Sequence, residues 1–405
     1  MRRKLFLVLS IAAGAVGTAN AAERMTITVS HDLDAARPSE TISVPWTSVN
    51  AALPGARLQQ IVVKDAKGQA LPYQVTNVAP QLKDPKNVGA AYGELLFQHN
   101  FAKGEKSARF TVEKIEGMAP VFPAKTFGRY VPERLDDFAW ENDRIGHRMY
   151  GPALAAPAPA GSGKEVLVTS GIDIWFKKVS YPIVDRWYNK GHDHYHVDEG
   201  EGMDMYNVGT TRGLGGTGIW DGQRLWTGRN YATWKVLANG PVRTVFEVTY
   251  DTWDGGGVAV SETKRISLDA GQQFDRVSST FQFGGRPELT VAVGVNKTPA
   301  DKGQEARVDA ANDAASGAVL QWVHQKSNGD FGTAVAIPSG GATFAEDERN
   351  SLVLAKVKSG EPLRYLMGAA WDRASEFKRM DQWRAAVAEF IARERSPLKV
   401  AVDGQ

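Results

Sequence analysis

Across residues 25–112, apolar and polar positions alternate in short runs: Thr26-Ile27-Thr28-Val29, Thr41-Ile42-Ser43-Val44, and the stretches 58–64, 71–75, 94–99 and 108–112. A period of two sends successive side chains to opposite faces. With turns supplied by Lys67-Gly68 and Lys103-Gly104, the pattern predicts antiparallel strands in a compact β-sandwich. The proline-rich run Ala119-Pro120-Val121-Phe122-Pro123-Ala124 breaks this alternation, which places an N-terminal β-sandwich region at residues 22–118. Residues 153–163, an alanine, proline and glycine patch without period, read as an exposed loop, a linker or lid edge. Strands resume at 165–169, 172–176, 233–237, 242–250, 258–267, 274–283, 290–295, 319–323 and 352–357. So many long strands predict two large packed sheets over residues 119–405. One long helix interrupts them near the C-terminus, where Trp383, Ala386, Val387, Phe390 and Ile391 recur at helical spacing within 380–393. Ser396-Pro397 ends it, and Leu398-Lys399-Val400-Ala401-Val402 reads as a closing strand.

The first residues depart from every strand pattern. Arg2-Arg3-Lys4 precedes an apolar run over 5–16, and Ala19-Asn20-Ala21 offers a small-x-small cleavage site. A dozen or so apolar residues fall short of the roughly 20 that a spanning helix needs. Residues 1–21 are therefore expected to be a cleaved signal peptide, with the mature protein periplasmic or secreted and not inserted in a membrane. The chain has no cysteine, so a large core must supply its stability. Removing three of the 48 Lys+Arg leaves 45 against 46 Asp+Glu, a near-neutral balance that argues against a nucleic-acid partner. The 41 glycines, 11 tryptophans and 11 tyrosines fit strands joined by tight turns. Aromatic faces on such a scaffold serve equally as plain core or as platforms for pyranose rings.

Three clusters between residues 130 and 226 are not explained by strand patterning. In the first, Arg144 and Arg148 stand four apart in Glu141-Asn142-Asp143-Arg144-Ile145-Gly146-His147-Arg148. They form a clamp for a carboxylate if both lie on one strand face, or ion pairs with Glu141 and Asp143. The second is the densest: three of the seven histidines fall within five residues, in Gly191-His192-Asp193-His194-Tyr195-His196-Val197-Asp198. On an extended backbone His192, His194, His196 and Asp198 project to one side, which suits a divalent metal, a proton-transfer pair or an inert polar loop. Asp198, Glu201 and Asp204 leave room for calcium, without the spacing of a strong loop motif. The third cluster, Arg212-Gly213-Leu214-Gly215-Gly216-Thr217-Gly218-Ile219-Trp220, lacks the Lys-Ser/Thr ending of a phosphate loop, so no nucleotide cofactor is expected. Arg212 and Trp220 are candidate substrate contacts. Farther on, Glu262 and Lys264 share one face of a strand that opens on a cleft or on solvent, and Asn296-Lys297 closes an apolar strand where sites are often mounted.

Glu141-Asn142-Asp143-Arg144, Ser170-Gly171-Ile172-Asp173-Ile174-Trp175, His196-x-Asp198-x-Gly200-Glu201-Gly202-x-Asp204-x-Tyr206, Arg212-Gly213-x-Gly215-Gly216 and Ser261-Glu262-Thr263-Lys264-Arg265 together resemble the motifs of the bacterial domain-of-unknown-function family numbered 4861. The resemblance covers nearly the whole mature chain. It implies a mainly β protein in which the N-terminal sandwich precedes a large antiparallel, galactose-mutarotase-like supersandwich. It also implies an association with the degradation of pectin and other uronate polysaccharides. His192 and His194 lie outside the family pattern, which begins at His196.

Three functions follow as expectations. The first is an enzyme acting on uronic-acid-containing oligosaccharides by lyase or hydrolase chemistry. For a lyase, Arg144, Arg148 or Arg212 neutralises the carboxylate, His196 is the base, and Tyr206 or Glu201 the acid. For a hydrolase, paired carboxylates come from Glu201, Asp204 or Glu262. The second is a sugar mutarotase or epimerase, and the third a noncatalytic carbohydrate-binding protein. The partner is an oligo- or polysaccharide in the first and third readings and a free monosaccharide in the second, with Glu262, Lys264, Asn296 and Lys297 as further contacts.

Overall fold

The structure is a computed structural model and describes residues 24–77, 93–300 and 305–404; the expected signal peptide at 1–21 lies outside the described residues. The fold is mainly β, with five antiparallel sheets among the described residues. In the N-terminal sandwich, a sheet ordered Lys399–Gly404, Arg24–Ser30, Ser107–Lys114, Ile61–Lys64, Ala70–Leu71 faces a three-stranded sheet of Arg37–Pro45, Glu94–Phe101 and Tyr73–Thr76. Alternation explains the packing: Met25, Ile27 and Val29 point inward beside Phe110 and Val112, while the residues between them stay partly exposed. The closing strand is present, and it crosses back to pair with the first strand of this sandwich, Val29 opposite Val400. A short helix at Trp46–Ala52, unannounced by any periodicity, caps the same core with Trp46 and Val49.

In the larger unit, an eight-stranded sheet runs from the edge strand Thr233–Ala238 through Arg243–Asp254, Ala259–Asp269, Phe274–Phe283, Pro362–Trp371, Phe331–Ala336 and Ala318–Gln325 to Ala306–Asp313. Two five-stranded sheets cover its inner face. One, the histidine-side sheet, is ordered Gly202–Asp204, Ile172–Lys177, Ile145–Met149, Asp137–Glu141, Phe127–Val131; the other, the glycine-side sheet, is ordered Leu225–Trp226, Leu214–Trp220, Leu289–Asn296, Asn350–Val357, Thr343–Glu346. They join edge to edge where Ile172 bridges Gly213. A side chain could not fit at that joint: Gly213 has φ +54°, and a Cβ there would lie 2.1 Å from the Ile172 carbonyl oxygen. Between the layers lies the largest apolar core, including Phe138, Trp140, Phe246, Val293 and Tyr365. This is the supersandwich that the strand pattern and family resemblance predict.

The helix Met380–Arg395 packs on the other face of the eight-stranded sheet, with Trp383 and Phe390 against Phe274. Two shorter helices, Val184–Lys190 and His192–Tyr195, cover the outer face of the histidine-side sheet, so its strands are buried on both sides. Two expectations need correction. Residues 165–169 join no sheet. The histidine run is not extended: Gly191, at φ +100°, ends one helix and starts a turn of the next, so His192, His194 and His196 do not project to one side. No helix among the described residues is long and apolar enough to cross a membrane.

Candidate functional site

Three antiparallel ladders bring four charged residues to the outer face of the histidine-side sheet. Arg148 pairs across the ladder with Asp173, Trp175 pairs with Asp204, and Asp137 lies on the next strand. Arg148 Nε donates to Asp173 Oδ2 at 2.8 Å, Nη2 donates to Asp204 Oδ2 at 2.9 Å, and Nη1 donates to the Tyr195 hydroxyl at 3.1 Å. Asp137 Oδ2 lies 3.8 Å from Nη1. Tyr150 donates to Asp173 at 3.1 Å and the Trp175 indole to Asp204 at 3.2 Å. The three aspartates are 0 % exposed and Arg148 is 4 % exposed.

One guanidinium among three buried carboxyls leaves an uncompensated negative charge, which a low-dielectric interior does not tolerate. Protonation relieves it: burial raises Asp137 to about 7, against the opposing pull of Arg148 and Arg134. The Tyr188 hydroxyl donates to this carboxyl at 3.1 Å.

Above the cluster sits His196, whose side chain is 31 % exposed. Its Nδ1 is 3.0 Å from the Asp204 carbonyl oxygen. A carbonyl can only accept, so Nδ1 carries the proton and Nε2 keeps its lone pair. Burial pushes the imidazole below its ordinary 6.5 and the Arg148 charge adds to the effect, so His196 is neutral at pH 7. The His192 ring lies 4.7 Å and the Tyr195 ring 4.9 Å from it, centre to centre. On the rim, Arg134 donates to Glu165 at 2.8 Å, and its Nε is 3.5 Å from the Tyr195 hydroxyl. Burial would raise Glu165, but its hydrogen bond with Arg134 and that cation's charge hold it below the ordinary carboxylate range. The arrangement offers a neutral imidazole base, a buried acid that titrates near neutrality and one guanidinium within reach of solvent.

Of the residues singled out in the sequence, this site unites His196, Asp204, Arg148 and His192. The two-arginine clamp is not formed: Arg144 is exposed in the hairpin turn, and Arg148 is occupied by aspartates. Nor does Glu201 suit an acid. It accepts from Tyr181 at 2.7 Å and Arg186 at 2.5 Å, and lies 3.4 Å from Lys190. Burial would raise it, yet these partners hold it down at about 2. Asp198 pairs with Lys178 and His194 with Glu199, and no group of three or more His, Asp or Glu among the described residues is placed to hold a metal ion. Tyr206 is buried in the core, its hydroxyl without a hydrogen-bond partner among the described residues.

A second group lies sealed between the layers. Lys264 donates to Tyr365 at 2.7 Å and Ser279 at 3.2 Å and lies 3.0 Å from Glu262, which accepts from Thr217 at 2.8 Å. These strand positions are core rather than cleft or solvated face. Arg212, threaded over Gly294, donates to Ser170 at 2.7 Å and to the Thr217 carbonyl; burial lowers it to about 10. Trp220 packs with Leu225 and Ala345 at the end of its strand. Asn296 is buried and holds the Asn207 and Thr298 carbonyls, and Lys297 ties down the Asp347 carbonyl and Glu346.

Asp137, Tyr195 and Arg134 were not singled out beforehand, and Asp173 appeared only inside a motif. A signal existed for two of them: Asp137 and Asp173 are charges within otherwise apolar strand runs, Asp137-Phe138-Ala139-Trp140 and Ile172-Asp173-Ile174-Trp175.

A family model described as "Domain of unknown function (DUF4861)" matches residues 29–400. "Uncharacterized protein P7" of Formosa agariphila is 30 % identical over 394 residues, spanning 94 % of each chain. Among solved structures, a protein in the glycosyl hydrolase family 38 from Enterococcus faecalis aligns with a TM-score of 0.46 at 9 % identity, over 94 % of this chain and 48 % of that one. An α-mannosidase from Enterococcus faecalis V583 gives 0.45 at 9 % identity, over 94 % and 46 %. The chain spans about half the length of these two solved proteins.

Proposed function

The chain belongs to the DUF4861 family, and we propose that it is an exported carbohydrate-active enzyme that cleaves uronic-acid-containing oligosaccharides by a lyase reaction, with His196 as the proton-transfer group. The observation that carries this reading is the fixed tautomer of His196, whose donor nitrogen is committed to the Asp204 carbonyl while Nε2 remains a neutral base on the open side. Paired-carboxylate hydrolysis has weaker support. Asp173 and Asp204 are wholly buried on Arg148, and Glu201 and Glu262 are each held in separate ion pairs.

In the proposed step, Nε2 removes the C5 proton of the uronate, the C5–H electrons form the C4=C5 double bond, and the C4–O bond breaks. The proton then passes from His196 to the departing oxygen. Arg134 neutralises the substrate carboxylate, taking it in the position that Glu165 holds in the free protein.

The test is incubation of the mature protein with oligogalacturonides, rhamnogalacturonan, alginate and ulvan oligosaccharides, read by ultraviolet absorbance and mass spectrometry. The expected product carries an unsaturated uronyl end, and His196→Ala lowers its rate by about 10²–10⁴-fold. The acid limb of the wild-type rate should lie below pH 6.5, since a base with a depressed pKa loses function only as pH falls past its folded value. No unsaturated product from any of these substrates, or full activity in His196→Ala, overturns the proposal.

A further inference from the structure

Beside the start of the 150–169 segment, and lined in part by Pro152 and Pro157, lies a cleft of about 240 Å³ whose walls include Arg229, Tyr231, Asp251 and Trp253. A bulge produces its chemistry. The ladder between Arg243–Asp254 and Ala259–Asp269 gains one residue between Tyr250 and Trp253, and Asp251, Thr252 and Trp253 all line the cleft there. Trp253 packs over Gly228, where a Cβ would come within 3.2 Å of the ring. Its indole N–H is buried and has no hydrogen-bond partner among the described residues. Arg229 and Asp251 are both exposed, and among the described residues neither forms a salt bridge; Arg229 makes only a 3.3 Å contact to the Ala155 carbonyl.

We infer that this cleft is a saccharide-binding position separate from the proton-transfer site. Neighbouring hydroxyls on a sugar ring both donate and accept. A carboxylate and a guanidinium free of ion pairs on the walls of one cavity satisfy them together, while the tryptophan adds an apolar surface for the ring. The inference rests on the carbohydrate reading and extends it to an oligosaccharide that spans two positions. The two sites share a wall. Asn230, in the cleft, donates to the Gly151 and Leu167 carbonyls, and the same segment supplies Tyr150 to Asp173 and Glu165 to Arg134.

The test uses calorimetric titration of the mature protein and of the double variant Arg229→Met/Asp251→Asn with galactose, rhamnose, galacturonate and oligogalacturonides. Both substituted residues are exposed, so the unfolding midpoint should not move, and this is checked first. Expected is at least a tenfold weaker association in the variant for a sugar that the wild type binds. In any turnover assay the expected change is a raised KM for long substrates with kcat retained. Equal binding by the two proteins overturns the inference even if turnover stands; so does absence of binding of every probe by the wild type. Binding that depends on this pair, with no turnover of any substrate, keeps the inference and removes the lyase reading.

Discussion

Arg148 and Lys264 are two buried cations made from similar parts, and only one of them belongs to the proposed site. Lys264 faces a single carboxylate, Glu262, and its remaining contacts are the neutral hydroxyls of Tyr365, Ser279 and Thr217. Its charges balance, and the group is sealed between sheets. Arg148 faces three carboxyls. Protonation of Asp137 offsets part of that excess, and a half-buried imidazole connects the cluster to solvent. Burial of charge alone therefore does not distinguish chemistry from structure. An imbalance of buried charge, with a titratable group leading outward, does.

The largest effect should come from breaking the balanced group. Lys264→Met leaves Glu262 buried without its cation, and stability should fall by about 3–5 kcal/mol. Replacing both partners, Glu262→Leu with Lys264→Met, should recover most of that loss, because the cost lies in the orphaned charge rather than in a missing attraction. Denaturant unfolding of the three proteins checks this. A double variant no more stable than the single one would show that the pair holds the two layers together in its own right.

Changing the unbalanced group should give a smaller, pH-dependent effect. Asp137 is raised from 3.8 to about 7 in the folded protein. Its neutral form therefore contributes stability that is fully present below pH 3.8 and is lost as pH rises through about 7. Asp137→Asn fixes the neutral state. It should match the wild type below pH 3.8 and gain on it by about 1.4 kcal/mol per pH unit from there to about pH 7, above which the gap stays constant. Parallel stability curves for the two proteins would mean that Asp137 is ionised throughout, and the contrast with Lys264 would lose its basis.

How much of this could be read from the chain depends on how local the cause is. Strand alternation and helical spacing are local, and they located both sandwiches and the C-terminal helix. Glu262 and Lys264 read as a cleft or solvated face but are buried, although Val260, Ile266 and Leu268, at even spacing on the same face, are apolar and carried the signal. The reading of His192 to His196 failed for a local reason: a glycine with positive φ and no β-branched residue in His192-Asp193-His194-Tyr195 favours a helical turn over a strand. The Arg148 cluster is different. Its partners Asp173 and Asp204 lie 25 and 56 residues away, and only strand order and register bring them to one guanidinium. Motif resemblance flagged Asp173 and Asp204 without showing that both touch Arg148, and it could not show that Arg144 would be left out.

The smallest expected effect bears on the one residue for which sequence and geometry suggest opposite roles. Glu201 lies in a motif run and was a candidate acid, yet in the fold it accepts from Tyr181 and Arg186 beside the exposed Lys190 and is held at about 2. A carboxyl with a depressed pKa contributes stability that is present above its unfolded value of 4.5 and is lost as pH falls through about 2. Its partners are solvent-exposed, so Glu201→Gln should cost no more than about 1 kcal/mol at neutral pH. That cost should shrink in acid, and turnover should remain within about twofold of the wild type. A tenfold or greater loss of turnover with an unchanged unfolding midpoint would restore Glu201 as the acid. It would then be an ionised, surface-paired carboxylate at the centre of the chemistry, and charge imbalance around a buried cation would no longer serve to locate the site.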